Sequence, residues 1–319
     1  MSERHLSEKS IVLLVVCLSA FGMPVMLSAT NVAIPIVADQ FSLSATQIAW
    51  IPMSYLMASV MFVLIFGSLA DVFGKKKIFL IGIFVLCFSS IFVAFANSGT
   101  VLMLGRFIQG VGAAMLYATQ TALVSSVFPA KERGKAIGIT LSAVYLGLAV
   151  GPSLGGIIME YLSWRLNFVL HLPLTLLILV LLHKVPSDSE SRLLEEFKFD
   201  KTGASLYMAS IVLLCFGVSS LPNSNSLVLL SLFLITVALF VNHSLKHSSP
   251  IWNLRIFRNN TMLNKSCLAS YMMYSATYSN VVILSLYLQD LKQLSASQAG
   301  LITVSYTHLR AHETPEQRV

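Results

Sequence analysis

Long uncharged runs alternate with short charged islands along this chain of 319 residues. A segment in hydrocarbon must satisfy its backbone hydrogen bonds internally, and about 20 apolar residues cross a bilayer. We therefore predict helices rather than strands in these runs, which makes the fold all-α, a polytopic transmembrane bundle. The nine predicted spans are residues 11–36, 46–69, 78–96, 101–127, 135–159, 165–183, 203–221, 226–245 and 264–289.

Turn-forming sequences and one polar stretch divide the predicted helices into groups. Residues 97–99 (NSG) and 222–225 (PNSN) split two longer apolar runs. The most polar interior stretch follows the sixth helix and predicts a cytoplasmic linker. The predicted parts are a six-helix bundle at 1–185, the linker at 186–202, two connector helices at 203–249, the start of a second bundle at 250–304, and a tail at 305–319.

The tail departs from this alternation of helices. After Val304 the sequence SYTHLRAHETPEQRV places Arg310 and two histidines where the topology requires a descending membrane helix. We predict that the chain is truncated there and that residues 305–319 are non-native. A genuine extracellular tail is the alternative.

Composition and charge place the protein in a membrane and give it an orientation. Hydrophobic residues make up 56% and charged residues 11%, with a mean hydropathy of +0.78, whereas a soluble domain carries about 25% charged residues. With the N-terminus inside, sixteen of the 21 Lys and Arg residues fall in cytoplasmic segments. The net charge of +7 therefore reflects topology and not nucleic-acid binding. We expect a multi-pass protein of the plasma membrane, in a bacterium the inner membrane, with a cytoplasmic N-terminus.

Cysteine and histidine positions give no sign of a metal centre or an enzyme. The four cysteines lie inside apolar segments without metal-ligand spacing, so we expect core residues and no metal. The sequence has no HExxH or G-x-S-x-G motif, and His171 and His183 have no evident nucleophile partner. An intramembrane enzyme is therefore disfavoured.

The loop between the second and third predicted helices, residues 67–77 (GSLADVFGKKK), combines glycines with charges. Gly67 and Gly74 permit a tight turn and close helix contact, while Asp71 beside Lys75 and Lys76 predicts a charge-paired latch at the cytoplasmic face. A plain basic loop is the alternative. The string resembles the signature loop G-x-L-A-D-x-x-G-[RK]-[RK] of the major facilitator superfamily, and that resemblance implies a conformational latch.

The fourth predicted helix has a polar face that contains Arg106 and Gln109. Arg106 lies about six residues, or roughly 9 Å, inside the outer boundary. We favour a water-filled cavity beside it over snorkelling to the surface, because intramembrane arginines normally face an interior or a pathway. Residues 106–110 (RFIQG) resemble the R-x-x-Q-G motif of the same superfamily, which implies that Arg106 takes part in proton coupling.

The fifth predicted helix carries glycines at every fourth position, Gly147, Gly151 and Gly155. They form a smooth seam for close helix approach, and Pro152 removes a backbone donor and permits a bend. Packing alone is the alternative. Together with Gly156 they complete the pattern G-x-x-x-G-P-x-x-G-G, which resembles the antiporter motif of the superfamily's exporters and implies efflux rather than uptake.

Further strings resemble the fourteen-helix drug:proton antiporter branch. The chain departs from that branch at Ser28, where an aspartate is usual, and at His171, where an asparagine is usual. None of the predicted spans then carries a deeply placed carboxylate, which disfavours simple cationic drugs as substrates. The matching strings are 27–35 (LSATNVAIP), 128–129 (FP), 133–136 (RGKA), 164–168 (WRLNF), 287–289 (YLQ) and 298–301 (QAGL).

These resemblances imply a major facilitator fold, here the N-terminal six-helix half with about three further helices. They also imply export of an amphipathic small molecule by alternating access, driven by the proton gradient without a cofactor, from a monomer in the lipid bilayer. A non-transporting sensor or scaffold is the alternative, and we expect the truncated chain alone not to transport. Cavity candidates are Asn31, Gln109, Tyr117 and Gln120, with Tyr271, Tyr274 and Tyr278 as candidates for which an ordinary interhelical stripe is the favoured alternative.

Overall fold

The computed structural model describes residues 2–185, 199–258 and 260–294, together with residues 298 and 302. Every regular element in those ranges is a helix. They are α1 (Ser2–Gln40), α2 (Ala45–Phe73), α3 (Lys75–Ala94), α4 (Gly99–Val127), α5 (Ala130–Tyr161), α6 (Trp164–Asn167), α7 (Leu172–Leu182), α8 (Lys201–Ser219), α9 (Ser224–Lys246) and α10 (Thr261–Leu286), with a 3-10 turn at Leu254–Phe257 and a π-helical turn at Tyr287–Leu291.

Eight helical segments within the described residues are long and apolar enough to cross a membrane, with α6 and α7 together forming the sixth. The all-α fold and the first eight predicted spans are therefore confirmed. The ninth predicted span is a helix, α10, but it is not among the eight. Asn264, Lys265 and Asn280 lower its hydropathy.

Local sequence signals set the ends of α2. Ser44 and Gln47 form a capping box, in which the Gln47 Oε1 accepts from the Ser44 backbone N–H at 2.9 Å and the Ser44 Oγ accepts from the Gln47 N–H at 3.4 Å. At the other end Gly74 has φ 93°, a conformation that glycine adopts without steric cost. The chain can therefore reverse at Gly74 and begin α3 at the next residue.

Polar contacts join the helix ends on both sides of the bundle. The Lys9 Nζ lies 2.8 Å from the Glu132 Oε2, which joins the beginnings of α1 and α5. On the opposite side, the Trp164 Nε1 donates to the Gln40 Oε1 at 2.6 Å, which joins the end of α1 to the beginning of α6. These contacts fix the two ends of α1 beside α5 and α6.

The main core lies between α1, α2, α3, α4 and α7, and small residues allow its helices to approach closely. A β-carbon added at Gly110 of α4 would collide with the backbone carbonyl of Tyr55 and lie 2.7 Å from the Ala58 Cβ of α2. Phe79, Met26 and Ile83 are among its largest fully buried residues. This close packing holds the polar residues of α4 in the interior.

The two connector helices, α8 and α9, pair as a hairpin that packs against α2. The Tyr207 hydroxyl donates to the Val60 carbonyl at 2.8 Å, and the rings of Trp50 and Phe216 lie 4.7 Å apart. Residues 186–198 of the predicted linker and all of the predicted tail, 305–319, lie outside the described residues. The five-part division of the chain therefore stays a prediction.

Candidate functional site

Arg106 lies inside the bundle between α2 and α6. Its Nη1 donates to the Gln109 Oε1 at 2.9 Å, one helical turn further along α4, and its Nε donates to the Ile51 carbonyl at 3.5 Å. The guanidinium carbon lies 4.5 Å from the ring centre of Tyr55 and 5.8 Å from that of Phe168. A cation held over aromatic faces in a desolvated site gains about 2 kcal/mol. The side chain therefore points inward and does not snorkel.

The surroundings of Arg106 are dry in this conformation. Arg106 and Gln109 are both 0% exposed, so water cannot touch either side chain. The prediction of a water-filled cavity beside Arg106 is therefore wrong for this conformation of the described residues. Aromatic rings and a neighbouring backbone carbonyl occupy the space that the prediction assigned to water.

A chain of hydrogen bonds continues from Arg106 across the bundle. The Gln109 Nε2 donates to the Ser90 Oγ of α3 at 2.8 Å. The Ser90 Oγ in turn lies 3.3 Å from the His171 Nε2, just before α7. His171 is 4% exposed, and its Nδ1 has no hydrogen-bond partner among the described residues. The four side chains form one buried network, which we call the Arg106 network.

A second polar contact lies nearer the cytoplasmic end of α4 as we orient the chain. The Gln120 Nε2 donates to the Ser19 Oγ of α1 at 3.0 Å. A small cavity of about 10 Å³ has both Ser19 and His171 in its lining. A volume of roughly 10 to 15 Å³ holds one water molecule. A single water in this cavity would therefore lie between the Ser19 hydroxyl and His171 of the Arg106 network.

The cavity candidates are not gathered in one place. Tyr117 is 40% exposed, with its hydroxyl 3.3 Å from that of the buried Tyr55. Tyr271 and Tyr274 on α10 are 71% and 50% exposed, and the side chain of Tyr278 lies outside the described residues. Their role in a substrate cavity stays a prediction, as it does for the buried members Asn31, Gln109 and Gln120.

The glycine seam, which we define as Gly147, Gly151 and Gly155, faces α1 directly. A β-carbon added at each position would meet α1, at the Phe21 carbonyl for Gly147, at the Ser28 hydroxyl for Gly151, and 2.8 Å from the Ala29 Cα for Gly155. Pro152 and Gly156 are buried beside the seam. The absence of side chains thus lets the backbones of α1 and α5 touch.

Asn167 strengthens this contact, a role that was not predicted from the sequence. Its Nδ2 donates to the carbonyls of Ala29 and Gly155, each at 3.3 Å, so that α6 bridges α1 and α5. Asn167 is 0% exposed. A lone amide in an apolar stretch was the available signal, but the partner Ala29 lies 138 positions away.

One feature of the predicted latch, its tight turn, is present in the structure. Gly74 makes the tight turn, and the Lys76 Nζ donates to the Val185 carbonyl at 2.5 Å, which joins the start of α3 to the end of α7. Asp71 is exposed, and a β-carbon at Gly67 would have open space around it. The pairing of Asp71 with Lys75 and Lys76 stays a prediction.

Replacing Ser90 with alanine is expected to lower the free energy of unfolding by about 1 kcal/mol, because interhelical hydrogen bonds in membrane bundles have about this strength. The change removes the contacts of Gln109 and His171 with Ser90. Ser89→Ala is the matched control, since within the described part of the chain the buried Ser89 hydroxyl bonds only to carbonyls of its own helix. Thermal unfolding of the purified chain in detergent measures both. Equal stabilities of the two variants would contradict a cohesive role for the network.

Comparison with known families gives one match that spans most of the chain. Residues 16–307 match the Major Facilitator Superfamily. Among solved structures, a peptide transporter in complex with sulfate has a TM-score of 0.62 at 17% identity, covering 94% of this chain and 66% of that one. The proton:xylose symporter XylE bound to 6-bromo-6-deoxy-D-glucose has a TM-score of 0.57 at 15% identity, covering 97% and 68%. At these identities the likeness concerns the fold alone.

Several curated proteins are similar in sequence. The riboflavin transporter RibZ of Clostridioides difficile is 31% identical over 303 residues, covering 93% of this chain and 64% of that protein. The multidrug resistance protein Stp of Mycobacterium tuberculosis is 30% identical, covering 89% and 54%. A lincomycin resistance protein of Streptomyces lincolnensis is 28% identical, covering 85% and 56%. The chain thus spans less than two thirds of the length of these relatives.

Proposed function

This chain belongs to the Major Facilitator Superfamily, and we propose that it is the N-terminal part of a proton-coupled exporter of amphipathic small molecules. In the proposed cycle two helical bundles rock about a central site and expose it first to the cytoplasm and then to the outside. The complete carrier lies in the plasma membrane with its N-terminus in the cytoplasm. The observation that carries the proposal is the burial of Arg106 in a hydrogen-bonded network across α2, α3 and α4.

The free-energy cost of burying the Arg106 charge supports a coupling role for this residue. A charge inside a membrane protein is expensive and normally serves a pathway. In a site that excludes water, a second charge acts on the guanidinium far more strongly than it would in solvent. A proton that enters the Arg106 network therefore changes the energy of the buried cation directly.

Because His171 is buried beside the Arg106 cation, its neutral form is favoured in this conformation, and in the proposed cycle its imidazole takes up a proton only when the bundle is more open. Its imidazole reaches Arg106 through Ser90 and Gln109 and borders the cavity of about 10 Å³ that also touches Ser19. The asparagine that family resemblance leads us to expect at this position cannot be protonated at neutral pH. In the proposed cycle a water in that cavity connects His171 to Ser19 and Gln120 on the cytoplasmic side.

Support for export comes from the glycine seam and from the relatives. The complete antiporter pattern along α5 presents no side chain to α1 at Gly147, Gly151 and Gly155, so in the proposed cycle the two helices can shift against each other. Two of the relatives named above are resistance proteins, while another is a riboflavin transporter. Ser28, a neutral residue, occupies the α1 position opposite Gly151. We therefore propose neutral or amphipathic substrates rather than simple cations.

The proposal predicts proton-driven accumulation in everted membrane vesicles that contain the complete carrier. The complete genomic reading frame that includes residues 1–304 is expressed in an efflux-deficient bacterium, and riboflavin, lincomycin and fluorescent amphipathic dyes are offered to the vesicles. We expect accumulation of at least one compound, several-fold above vesicles without the carrier, and its loss on addition of a protonophore. The 319-residue chain alone is expected to give none, since the proposed site lies between two bundles.

Two results would contradict this function. Accumulation that persists after the protonophore would remove the proton coupling, and faster loss of compound from preloaded everted vesicles would indicate uptake rather than export. Full activity of the 319-residue chain alone would remove the requirement for a second bundle.

A further inference from the structure

Asp200, His243 and His247 meet where α8 begins and α9 ends, outside the six-helix bundle. The His243 Nε2 lies 2.8 Å from the Asp200 Oδ1, and the rings of the two histidines stack with centres 5.0 Å apart and an interplanar angle of 29°. One possible ligand atom from each of the three residues lies within 4.8 Å of the others. No other group of three or more such residues occurs among the described ranges.

Asp200 is held as a fixed, ionised carboxylate. Its Oδ1 accepts from the Gly203 N–H at 2.8 Å, its Oδ2 accepts from the Ile251 N–H at 3.1 Å, and its side chain is 2% exposed. Burial alone would raise the pKa of Asp200. The hydrogen bonds from Gly203, His243 and Ile251 outweigh burial and bring its pKa below the ordinary value. The carboxylate is therefore negatively charged and preoriented at neutral pH.

The two histidines are aligned by the helix that carries them. Residues four apart in sequence lie one above the other on the same helix face, and His247 is the C-terminal cap of α9. The His247 Nδ1 accepts a single long hydrogen bond, 3.3 Å, from the Ser249 backbone N–H. This weak contact is easily exchanged for a stronger ligand.

The cluster opens to solvent on one side. A shallow cavity of about 490 Å³ is lined by His243, His247, Asn242 and Lys246, together with two leucines. An ion at the cluster could complete its coordination with water from this cavity. The ammonium of Lys246 opposes a cation here, so we expect micromolar rather than much tighter affinity.

We propose that Asp200, His243 and His247 form a binding site for a divalent transition-metal ion such as Zn²⁺. Two imidazoles and one carboxylate suit zinc and similar ions, whereas Mg²⁺ and Ca²⁺ prefer sites made of oxygen ligands. One carboxylate also balances half of the ion's charge. The site revises the expectation of no metal, which considered only local spacing, because Asp200 and His243 lie 43 positions apart.

Small movements convert the cluster into a coordination site. Ligand atoms of a tetrahedral zinc ion with bonds of 2.0 to 2.1 Å stand about 3.4 Å apart. The separations within the cluster, up to 4.8 Å, need to shorten by at most about 1.4 Å, which rotation of the partly exposed His247 ring provides. The ion takes the place of the hydrogen between the His243 Nε2 and the Asp200 Oδ1, and the neutral imidazole that binds it keeps its one proton on Nδ1.

A purely structural clip explains only part of the cluster. The hydrogen bond between Asp200 and His243 joins α8 to α9 without any ion. This hydrogen bond gives no role to His247. The His247 ring stacks on His243, and among the described residues it makes no hydrogen bond to the Asp200 carboxylate. A His247→Ala variant therefore distinguishes a metal site from a hydrogen bond that only joins the two helices.

A bound ion would fasten three segments at one point. Asp200 begins α8, the histidines end α9, and Ile251 lies in the stretch that leads to α10. The ion would stabilise the base of the connector hairpin, where the chain passes between the two predicted bundles. The inference stands independently of the transport function proposed above.

The test is a Zn²⁺ titration of the tag-free, metal-stripped 319-residue chain in detergent, read by competition with a chromophoric chelator. We expect one equivalent to bind with micromolar affinity, weakened at least tenfold by His243→Ala and by His247→Ala. His183→Ala is the matched control, because His183 is exposed at the end of α7 and lies outside the cluster; it should bind as the wild type does. Co²⁺ in place of Zn²⁺ should give the visible absorption of a low-symmetry nitrogen and oxygen site.

Two outcomes would overturn the proposal. Absence of stoichiometric binding by the wild-type chain is one. Binding that is unchanged in both His243→Ala and His247→Ala is the other, since it would assign the ion to different residues. Circular dichroism on each variant establishes that the helices are intact, and the wild-type titration decides the matter even where a variant fails to fold.

Discussion

Replacing Gly151 with alanine is expected to destabilise the bundle by about 1 to 3 kcal/mol, the usual cost of inserting atoms into a packed core. The added β-carbon would collide with the Ser28 hydroxyl and lie 2.8 Å from the Val25 carbonyl oxygen. Ser28 cannot turn away without loss, because its hydroxyl donates to the Pro24 carbonyl at 2.7 Å. The helices α1 and α5 must therefore move apart.

Gly138→Ala on the same helix is the matched control. No neighbouring atom would lie within 4 Å of a β-carbon there, and the site is exposed. Alanine is favoured over glycine by up to about 1 kcal/mol in a helix interior, so this variant should be slightly more stable than the wild type. Thermal unfolding in detergent compares the two. Equal stability of Gly151→Ala and Gly138→Ala would show that the seam is not a close contact.

A double variant tests the same contact from the other side. Removing the hydroxyl with Ser28→Ala should recover part of the stability that Gly151→Ala loses, because contacting residues give non-additive effects. Simple additivity of the two changes would place the strain elsewhere, for example at the Val25 carbonyl.

Replacing Arg106 with alanine is expected to reduce proton-driven accumulation by the complete carrier at least tenfold. The change removes the donors to the Gln109 Oε1 and to the Ile51 carbonyl and leaves space beside Tyr55 and Phe168. It also removes the buried charge on which a transferred proton acts. Accumulation is measured in everted vesicles whose lumen has been acidified by proton pumping.

Two further arginine variants sharpen this result. Arg106→Lys keeps the charge but has a single nitrogen in place of the guanidinium fork, so we expect activity between that of the wild type and that of the alanine variant. Arg258→Ala removes an exposed arginine far along the chain from the network and should leave accumulation unchanged. Equal activity of Arg106→Ala and Arg258→Ala would contradict a coupling role.

The sequence predicted the membrane helices well because each signal is local. Uncharged runs gave the first eight spans, and turn-forming residues such as those at 97–99 and 222–225 gave the breaks between them. The spacing of Gly147, Gly151 and Gly155 predicted a seam, which the structure places against α1. These features depend on residues within one helix or at its ends.

The site was harder to predict because its contacts join distant parts of the chain. Periodicity placed Arg106, Gln109, Tyr117 and Gln120 on one face of α4, yet Tyr117 is exposed and the others are buried. Which part of a helix face is covered depends on its neighbours, and the sequence of that helix does not contain them. Ser90 and His171, which are 81 positions apart, meet for the same reason.

The proposed metal site was also missed in the sequence because its ligands come from different helices. Its two histidines are four residues apart and visible in the sequence, but the carboxylate that completes the group caps the start of another helix. Only the pairing of α8 with α9 brings them together. Spacing rules therefore find such a site only when all its ligands share one element.

The central claim is that the buried Arg106 network couples substrate export to proton movement. Its most direct test is the pH change that follows substrate addition to acid-loaded everted vesicles containing the complete carrier, wild type or Arg106→Ala. We predict that substrate entry releases protons from the wild-type vesicles and that Arg106→Ala, folded and inserted at the same level, releases none. Substrate-induced proton release of equal size from both would contradict the account.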